Sequence, residues 1–427
     1  MILKHIFKTL LLLLGLGILF SCSSDDDSGG TGSGQPQLVL TASAMEATPG
    51  EEISFEVTSD GEAVSDAEIF IDGAGISGYS HVFEDAGTYE VVAKKEGYKD
   101  SKAIEISVQE IQVDVYVAGY ETDPSGQTIA LYWKNGEAVI LSDGNNFASA
   151  TDITILNGDI YVAGIENATS GNFVAKYWKN GTPVNLTDGT NSAVATAIAI
   201  SGEDVYVAGV EVNGTNYVVK YWKNGTPVNL TSGSIYAEAH GITISDGDVY
   251  VAGVEENASG NFVAKYWKNG FEVNLTDGNF DAKAFGISVF GGDVYVAGFE
   301  DEASGSPKAK IWKNGTPLNL SSGSGSKAFG MAVYNGDVYG VGYDYNGNTM
   351  ATYWKNGFPV YLTDGSYFAQ ASDVALYNED VYVSGSQKNA SGNQIATYWK
   401  NESMVILGEG SGESTATSIF VTKTIVE

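Results

Sequence analysis

The chain has 427 residues, enough for two or three domains. It carries 53 acidic residues against 22 basic ones, every one a lysine, for a formal charge of −31. Such acidity repels phosphate backbones and excludes nucleic-acid binding. The single cysteine, Cys22, excludes internal disulfides, Cys-rich zinc sites and a buried cysteine nucleophile.

At the N-terminus, Lys4 and Lys8 precede an apolar run over residues 9–20 that is short for a bilayer span and suits a secretory leader. Leu19, Phe20, Ser21 and Cys22 resemble a bacterial lipobox, in which the leader is cut before a cysteine that receives acyl chains. The resemblance implies a lipoprotein signal peptide over 1–21 and lipidation, of the palmitate type, at Cys22. Residues 22–36 read as a flexible acidic and Gly/Ser-rich tether, because nothing apolar occurs between Ser23 and Gly34. Asp25, Asp26 and Asp27 resemble the export tag of Bacteroidetes surface lipoproteins. That implies an outer-membrane protein, held in the membrane by its lipid and facing the cell exterior.

Residues 37–109 contain short alternating runs at Ile53–Val57, Glu68–Ile71, Tyr89–Ala93 and Ile104–Val108, separated by turn signals, which predict a β-sandwich. Asp85, Gly87 and Tyr89 resemble the D-x-G-x-Y corner of immunoglobulin-like domains, where the tyrosine hydroxyl ties back to nearby backbone. An Ig-like spacer domain is the implied role.

From residue 110 to 427 the chain repeats itself. All seven tryptophans, Trp133, Trp178, Trp222, Trp267, Trp312, Trp354 and Trp399, fall 42 to 45 residues apart, each in a WKN triplet. A typical unit over 193–233 holds four β runs and no helical period. Four strands per 45 residues predict a β-propeller blade, and seven units a seven-bladed ring. The first unit lacks its inner strand and residues 416–421 supply a strand of that pattern, so the C-terminal strand is expected to close the ring. The units resemble the YWKNG-type propeller repeats of Bacteroidetes lipoproteins, across about three quarters of the chain. The fold class is thus all-β, an Ig-like sandwich followed by a closed propeller.

The recurring residues read as scaffold. A tryptophan needed once per unit in one register packs blade on blade. Asp114, Asp159, Asp204, Asp248, Asp293, Asp337 and Asp380 precede the second strand and are expected to accept hydrogen bonds from turn amides. Glu166, Glu211, Glu255 and Glu300 face Lys176, Lys220, Lys265 and Lys310 and predict cross-strand pairs. The alternative for this acidic series is a carboxylate ring able to hold Ca²⁺; no other cofactor is implied.

Variation among the units points to one face. The turns before DVYVAG and after WKN are nearly constant, whereas the other two connections vary and, by strand alternation, emerge on one side. The ligand-binding candidates there are Phe147, Tyr236, Glu238, His240, Phe280, Phe285, Phe329, Tyr367 and Phe368, with Lys283, Lys327, Gln370, Asp152 and Asp373 on the same stretches. Aromatics interleaved with polar groups suit sugar faces and hydroxyls. The function read from this is non-enzymatic recognition of a glycan or a cell-surface protein. Two alternatives accompany it: a structural subunit of an outer-membrane complex, and a carboxylate-based glycoside hydrolase.

Overall fold

The computed structural model describes residues 35–426 apart from 124, 234–235, 322–324, 346 and 409–411. The expected leader, Cys22 and the acidic run lie outside the described residues. The chain divides into two units, Met1–Glu110 and Ile111–Glu427. Among the described residues no helix is long and apolar enough to cross a membrane.

In the first unit, Val39–Ala42, Glu52–Ser59, Glu62–Ala63 and Ser80–Val82 form one sheet, and Glu46–Ala47, Ile104–Val108, Gly87–Lys94, Glu68–Ile71 and Ala74–Gly75 a second. Strand alternation turns Ile53, Phe55 and Val57 of the first sheet, and Ile69, Val91, Ala93 and Ile106 of the second, into a common core. The Tyr89 hydroxyl donates to the Asp85 carbonyl at 2.9 Å, which ties the turn before Gly87–Lys94 to the strand that follows it.

In the second unit the described residues form seven antiparallel four-stranded sheets. The fourth is typical, with Ala237–Ser245 innermost, then Asp248–Glu256, Phe262–Lys268 and Phe271–Asn274. The first sheet is assembled from both ends of the unit. Its Ile111–Thr122 strand pairs with Ser414–Ile425, in a register running from Ile111 opposite Ile425 to Glu121 opposite Ser414. Each inner strand packs on the next, from Ala148–Leu156 through Ala369–Tyr377 to Ser414–Ile425, which returns to Ala148–Leu156. The result is a closed, propeller-like all-β ring in which every inner strand packs between two others.

The tryptophans hold neighbouring sheets together. All seven are at most 1% exposed. Trp178 of the second sheet shares a core with Tyr116, Ala118 and Tyr132 of the first, and Trp133 of the first shares one with Tyr382, Ala396 and Leu407 of the seventh. One contact therefore makes both the ordinary interface and the closing one. It also accounts for the glycine of the AG pair: a Cβ on Gly164 would stand 2.8 Å from Trp178 Cζ3 and 2.2 Å from the Ser149 carbonyl oxygen.

The WKNG motif is a turn held by side chains. Asn180 and Gly181 both take positive φ, 49° and 80°, as a tight hairpin of this twist requires. Asn180 Oδ1 accepts from the Ile160 amide at 2.8 Å, while its Nδ2 donates to Asp159 Oδ1 at 2.8 Å. Lys179 Nζ stands 2.8 Å from Asp159 Oδ2 and lies over the Tyr161 ring. Here the structure differs from the sequence expectation. Asparagine, not aspartate, takes the backbone amide, because only its amide can accept and donate at once; aspartate orders the Asn and Lys side chains.

Deleting residues 414–427 removes the inner strand of the first sheet and exposes the edge of Ile111–Thr122. We expect destabilisation of more than about 4 kcal/mol, or failure to fold, in calorimetry; an unchanged melting temperature would show that the ring does not depend on this strand.

Candidate functional site

Antiparallel pairing places the connections between second and third strands, and those leading into each following inner strand, on one side of the ring. There the inner strands share a second feature. Each is bulged at the same place, with register shifts between Ala150 and Asp152, Ala195 and Ala197, Ala239 and Gly241, Ala284 and Ile287, Ala328 and Gly330, and Ala371 and Asp373. The closing strand skips Thr417 in the same manner. A bulge leaves one residue outside the ladder and re-aims its side chain.

Two kinds of residue fill the bulge. In the closing and second sheets threonine lies against the neighbouring inner strand: Thr417 Oγ1 stands 3.2 Å from the Ala150 carbonyl and 3.0 Å from the Ala118 carbonyl of its own sheet, with one proton to share between them, and Thr151 Oγ1 donates to the Ala195 carbonyl at 3.0 Å. In the fourth, fifth and sixth sheets the bulge carries His240, Phe285 and Phe329 instead, each followed by glycine. A Cβ at Gly241 would stand 2.5 Å from the Phe285 carbonyl oxygen, and one at Gly330 2.7 Å from Asp373 Cα, so the approach of the next inner strand demands glycine there.

These three rings begin a continuous aromatic arc. His240 and Phe285 have centroids 4.6 Å apart, and Phe285 meets Phe329 edge-on at 5.2 Å. Phe329 contacts Tyr343 at 5.9 Å, and Phe285 contacts Phe299 at 6.2 Å. On the other flank Tyr236 lies between Tyr217 and Phe262, at 5.1 and 5.0 Å. Lys283 Nζ sits over the Tyr236 and Phe262 rings and 3.2 Å from Glu238 Oε2; His240 Nε2 is 3.4 Å from the same oxygen. Burial would raise the Glu238 carboxyl, but the His240 imidazole, the Tyr236 hydroxyl and the Lys283 charge outweigh it and hold the group down at about 2. Glu238 is therefore a fixed anion that orients Lys283 and Tyr236.

Beside the arc an open cleft of about 530 Å³ is lined by Lys327, Phe329, Tyr343, Tyr345, Phe368 and Gln370. Lys327 Nζ lies over the Phe299 ring, 4.2 Å from its centroid, and burial pulls its pKa below the usual lysine value. Apolar faces, an amide, hydroxyls and the Lys327 ammonium group thus border one space.

The structure brings Tyr236, Glu238, His240, Phe285 and Phe329 together and places Phe368 on the wall of the adjoining cleft. It sets Phe147 apart, against Phe173 on the second sheet at 5.8 Å. Phe280 and Tyr367 stand exposed on the connections. Sequence comparison of the connections missed Tyr217, Phe262, Phe299 and Tyr343, which belong to second and third strands. A signal existed for two of them: the position after AG is Ile165, Val210 and Val254 in the second to fourth sheets but Phe299 and Tyr343 in the next two.

The acidic series is engaged in cross-strand ion pairs, Lys220–Glu211 at 2.5 Å and Lys265–Glu255 at 2.8 Å, with Lys176–Glu166 and Lys310–Glu300 alike. Among the described residues no three His, Cys, Asp or Glu side chains converge as a metal site would require.

Where the inner strands of the seventh, first and second sheets meet, Ser418 Oγ lies 2.6 Å from Asp152 Oδ1 and 2.8 Å from Asp373 Oδ2. A hydroxyl has one proton and can donate to only one carboxylate, so the second contact is satisfied when the other carboxyl is protonated and donates to Oγ. Burial, reinforced by the Asp373 charge, pushes Asp152 up to about 7, and burial raises Asp373 as well.

An unfolded aspartate holds its proton only below about 3.8, whereas folded Asp152 keeps it up to about 7. Between these values the native state binds more protons, so this group's contribution to stability is present at low pH and is lost as pH rises through 7. Urea unfolding at pH 5 and pH 8 should show a smaller difference in Asp152→Asn than in the parent protein. Equal differences would mean that no proton is shared at the closing strand.

No protein-family model and no curated protein matches the chain. Among solved structures it is similar to an auxiliary nutrient binding protein from Bacteroides thetaiotaomicron VPI-5482, at 10% identity and a TM-score of 0.34 over 90% of this chain and 98% of that one. It is similar to the β-propeller domain of the Trilobed protease from Pyrococcus furiosus, at 11% identity and a TM-score of 0.43 over 77% and 96%. A puromycin-hydrolyzing peptidase of Mycobacterium tuberculosis is similar at 12% identity and a TM-score of 0.47, over 70% of this chain and 51% of the peptidase. The chain spans about half the length of that peptidase. These likenesses concern the fold alone.

Proposed function

We propose that this protein is a non-enzymatic surface lipoprotein, tethered through Cys22 to the outer membrane, in which an Ig-like domain precedes a seven-bladed propeller that binds a glycan or a cell-surface protein through its variable face. One observation carries the recognition reading. Closure of the ring is served at the bulge by threonine in the closing and second sheets, so His240, Phe285 and Phe329 answer a different demand in the fourth to sixth. Three adjacent sheets contribute one ring each, the rings touch, and an open cleft adjoins them. Aromatic faces beside fixed polar groups suit the apolar faces and hydroxyls of sugars.

The hydrolase alternative draws less support. Asp152 and Asp373 are the carboxyls that one side chain brings together, but Ser418 fills the space between them, the Ile198 and Val374 amides donate to their outer oxygens, and the Ile419 amide donates to the Asp373 oxygen that faces Ser418. A sugar cannot enter that gap without breaking the closing strand.

Glycan-array and calorimetric binding test the reading. Phe285→Ala and Phe329→Ala should each weaken binding by about tenfold or more, while Phe147→Ala leaves it unchanged. Absence of glycan binding together with co-purification of a membrane partner would favour the structural-subunit alternative. For the anchor, Cys22→Ser should abolish acyl labelling and shift the protein from membrane to soluble fractions; continued acylation would refute lipidation at this residue.

A further inference from the structure

We infer that the ligand presents a carboxylate to Lys327 in the open cleft beside the aromatic arc, and that it is an acidic oligosaccharide bearing uronate units. The inference rests on the glycan branch of the proposed function and adds the charge of the sugar.

The argument starts from the inner strands. Two residues before each bulge the chain carries, in ring order, Ser149, Val194, Glu238, Lys283, Lys327, Gln370 and Thr415. Long side chains at this position lean onto the preceding sheet. Lys283 of the fifth sheet reaches Glu238 of the fourth and covers Tyr236 and Phe262. Lys327 of the sixth covers Phe299 of the fifth in the same manner. At the place where Lys283 finds a carboxylate, however, Lys327 finds Lys283, and the charge of Lys283 lowers its pKa further.

Lys327 is exceptional in this chain. Fifteen lysines of the described residues stand within 4.0 Å of a carboxylate. Lys99, Lys102, Lys388 and Lys423 do not, and all four are exposed, where water solvates the charge. Lys327 alone among the described residues is half-buried and without an ion pair; Asp301 acts on it only from beyond that distance. A partly desolvated ammonium costs stability unless an anion approaches it. In a protein with 53 acidic residues, the missing carboxylate is supplied most directly by a ligand.

The surroundings narrow the class. Lys283 has Glu238 as its ion-pair partner, whereas Asp301 acts on Lys327 only from beyond contact distance, so Lys327 has room for one further carboxylate. One carboxylate per sugar unit suits this single ammonium group better than the denser charge of a phosphate polymer. Phe329 and Tyr343 offer faces for the ring carrying the carboxylate, and Gln370 an amide for its hydroxyls.

The test is calorimetric titration of the full-length protein with oligogalacturonate, alginate and hyaluronan oligosaccharides, each alongside its carboxyl-reduced, uncharged counterpart. At least one acidic form should bind about tenfold more tightly than its reduced counterpart and lose this advantage at high salt. Lys327→Met keeps the apolar stem and should abolish the advantage while leaving affinity for the reduced sugar unchanged and raising the melting temperature of the free protein; Lys327→Arg should keep part of the advantage. Equal binding of both forms, abolished by Phe329→Ala, would overturn the carboxylate inference and leave the recognition reading standing. Binding of neither form, with binding of a glutamate-rich peptide instead, would overturn the saccharide class. Binding of none of these probes, nor of any glycan sensitive to Phe285→Ala, would overturn the inference and the glycan reading together.

Discussion

Burial of one tryptophan per sheet against the sheet before it is the contact on which the second unit depends. Because Trp133 makes this contact with Tyr382 and Leu407 of the last sheet, the series has no terminal member. Much of the repeated sequence follows from it. The AG glycine leaves room for the indole, and the Asn–Gly turn returns the chain at a fixed length so that the next tryptophan arrives in register. The Asp–Asn–Lys cluster holds that turn by side chains on the face away from the ligand candidates.

A scaffold this uniform separates two demands on the inner strands. At the bulge, threonine ties one inner strand to the next in part of the ring, while His240, Phe285 and Phe329 project rings in another. Glycine after each aromatic residue absorbs the closeness of the neighbouring strand, so the aromatic half gives up a hydroxyl clasp without gaining a steric clash. The ring is therefore polar and acidic around Asp152, Ser418 and Asp373 and aromatic and basic around Phe285, Lys283 and Lys327. That asymmetry is the ground of the proposed recognition surface.

Charge follows the same division. Lysines are few, and most are engaged in one of two recurrent pairs, with the aspartate before the second strand or with the glutamate after AG. Each pair recurs because each sheet repeats the same local geometry. The departures lie where sheets differ: Lys283 pairs across sheets with Glu238, Lys327 has no such carboxylate, and Asp152 and Asp373 are drawn together by Ser418 of the closing strand, remote in sequence from Asp152.

Much was legible in the sequence because a repeat prints a local demand many times. The tryptophan period, the four runs per unit, the strand contributed by residues near the C-terminus and the Glu–Lys pairs all involve neighbours within one sheet or one register, and strands such as Ile104–Val108 and Glu68–Ile71 stand where alternation put them. Periodicity alone did not separate Phe147, which packs on Phe173, from Phe285, which heads the arc, since both precede or begin an inner strand in similar company. Nor did it show that a bulge shifts the ladder by one residue at His240, Phe285 and Phe329, that Tyr343 and Phe299 join them, or that Ser418 stands between Asp152 and Asp373. Residue spacing by itself determined the unit and its count of strands, because hydrogen-bonded hairpins are local; only the closed tertiary structure decided which side chains meet between neighbouring sheets, because those distances are set by the curvature of the whole ring and by no segment of it.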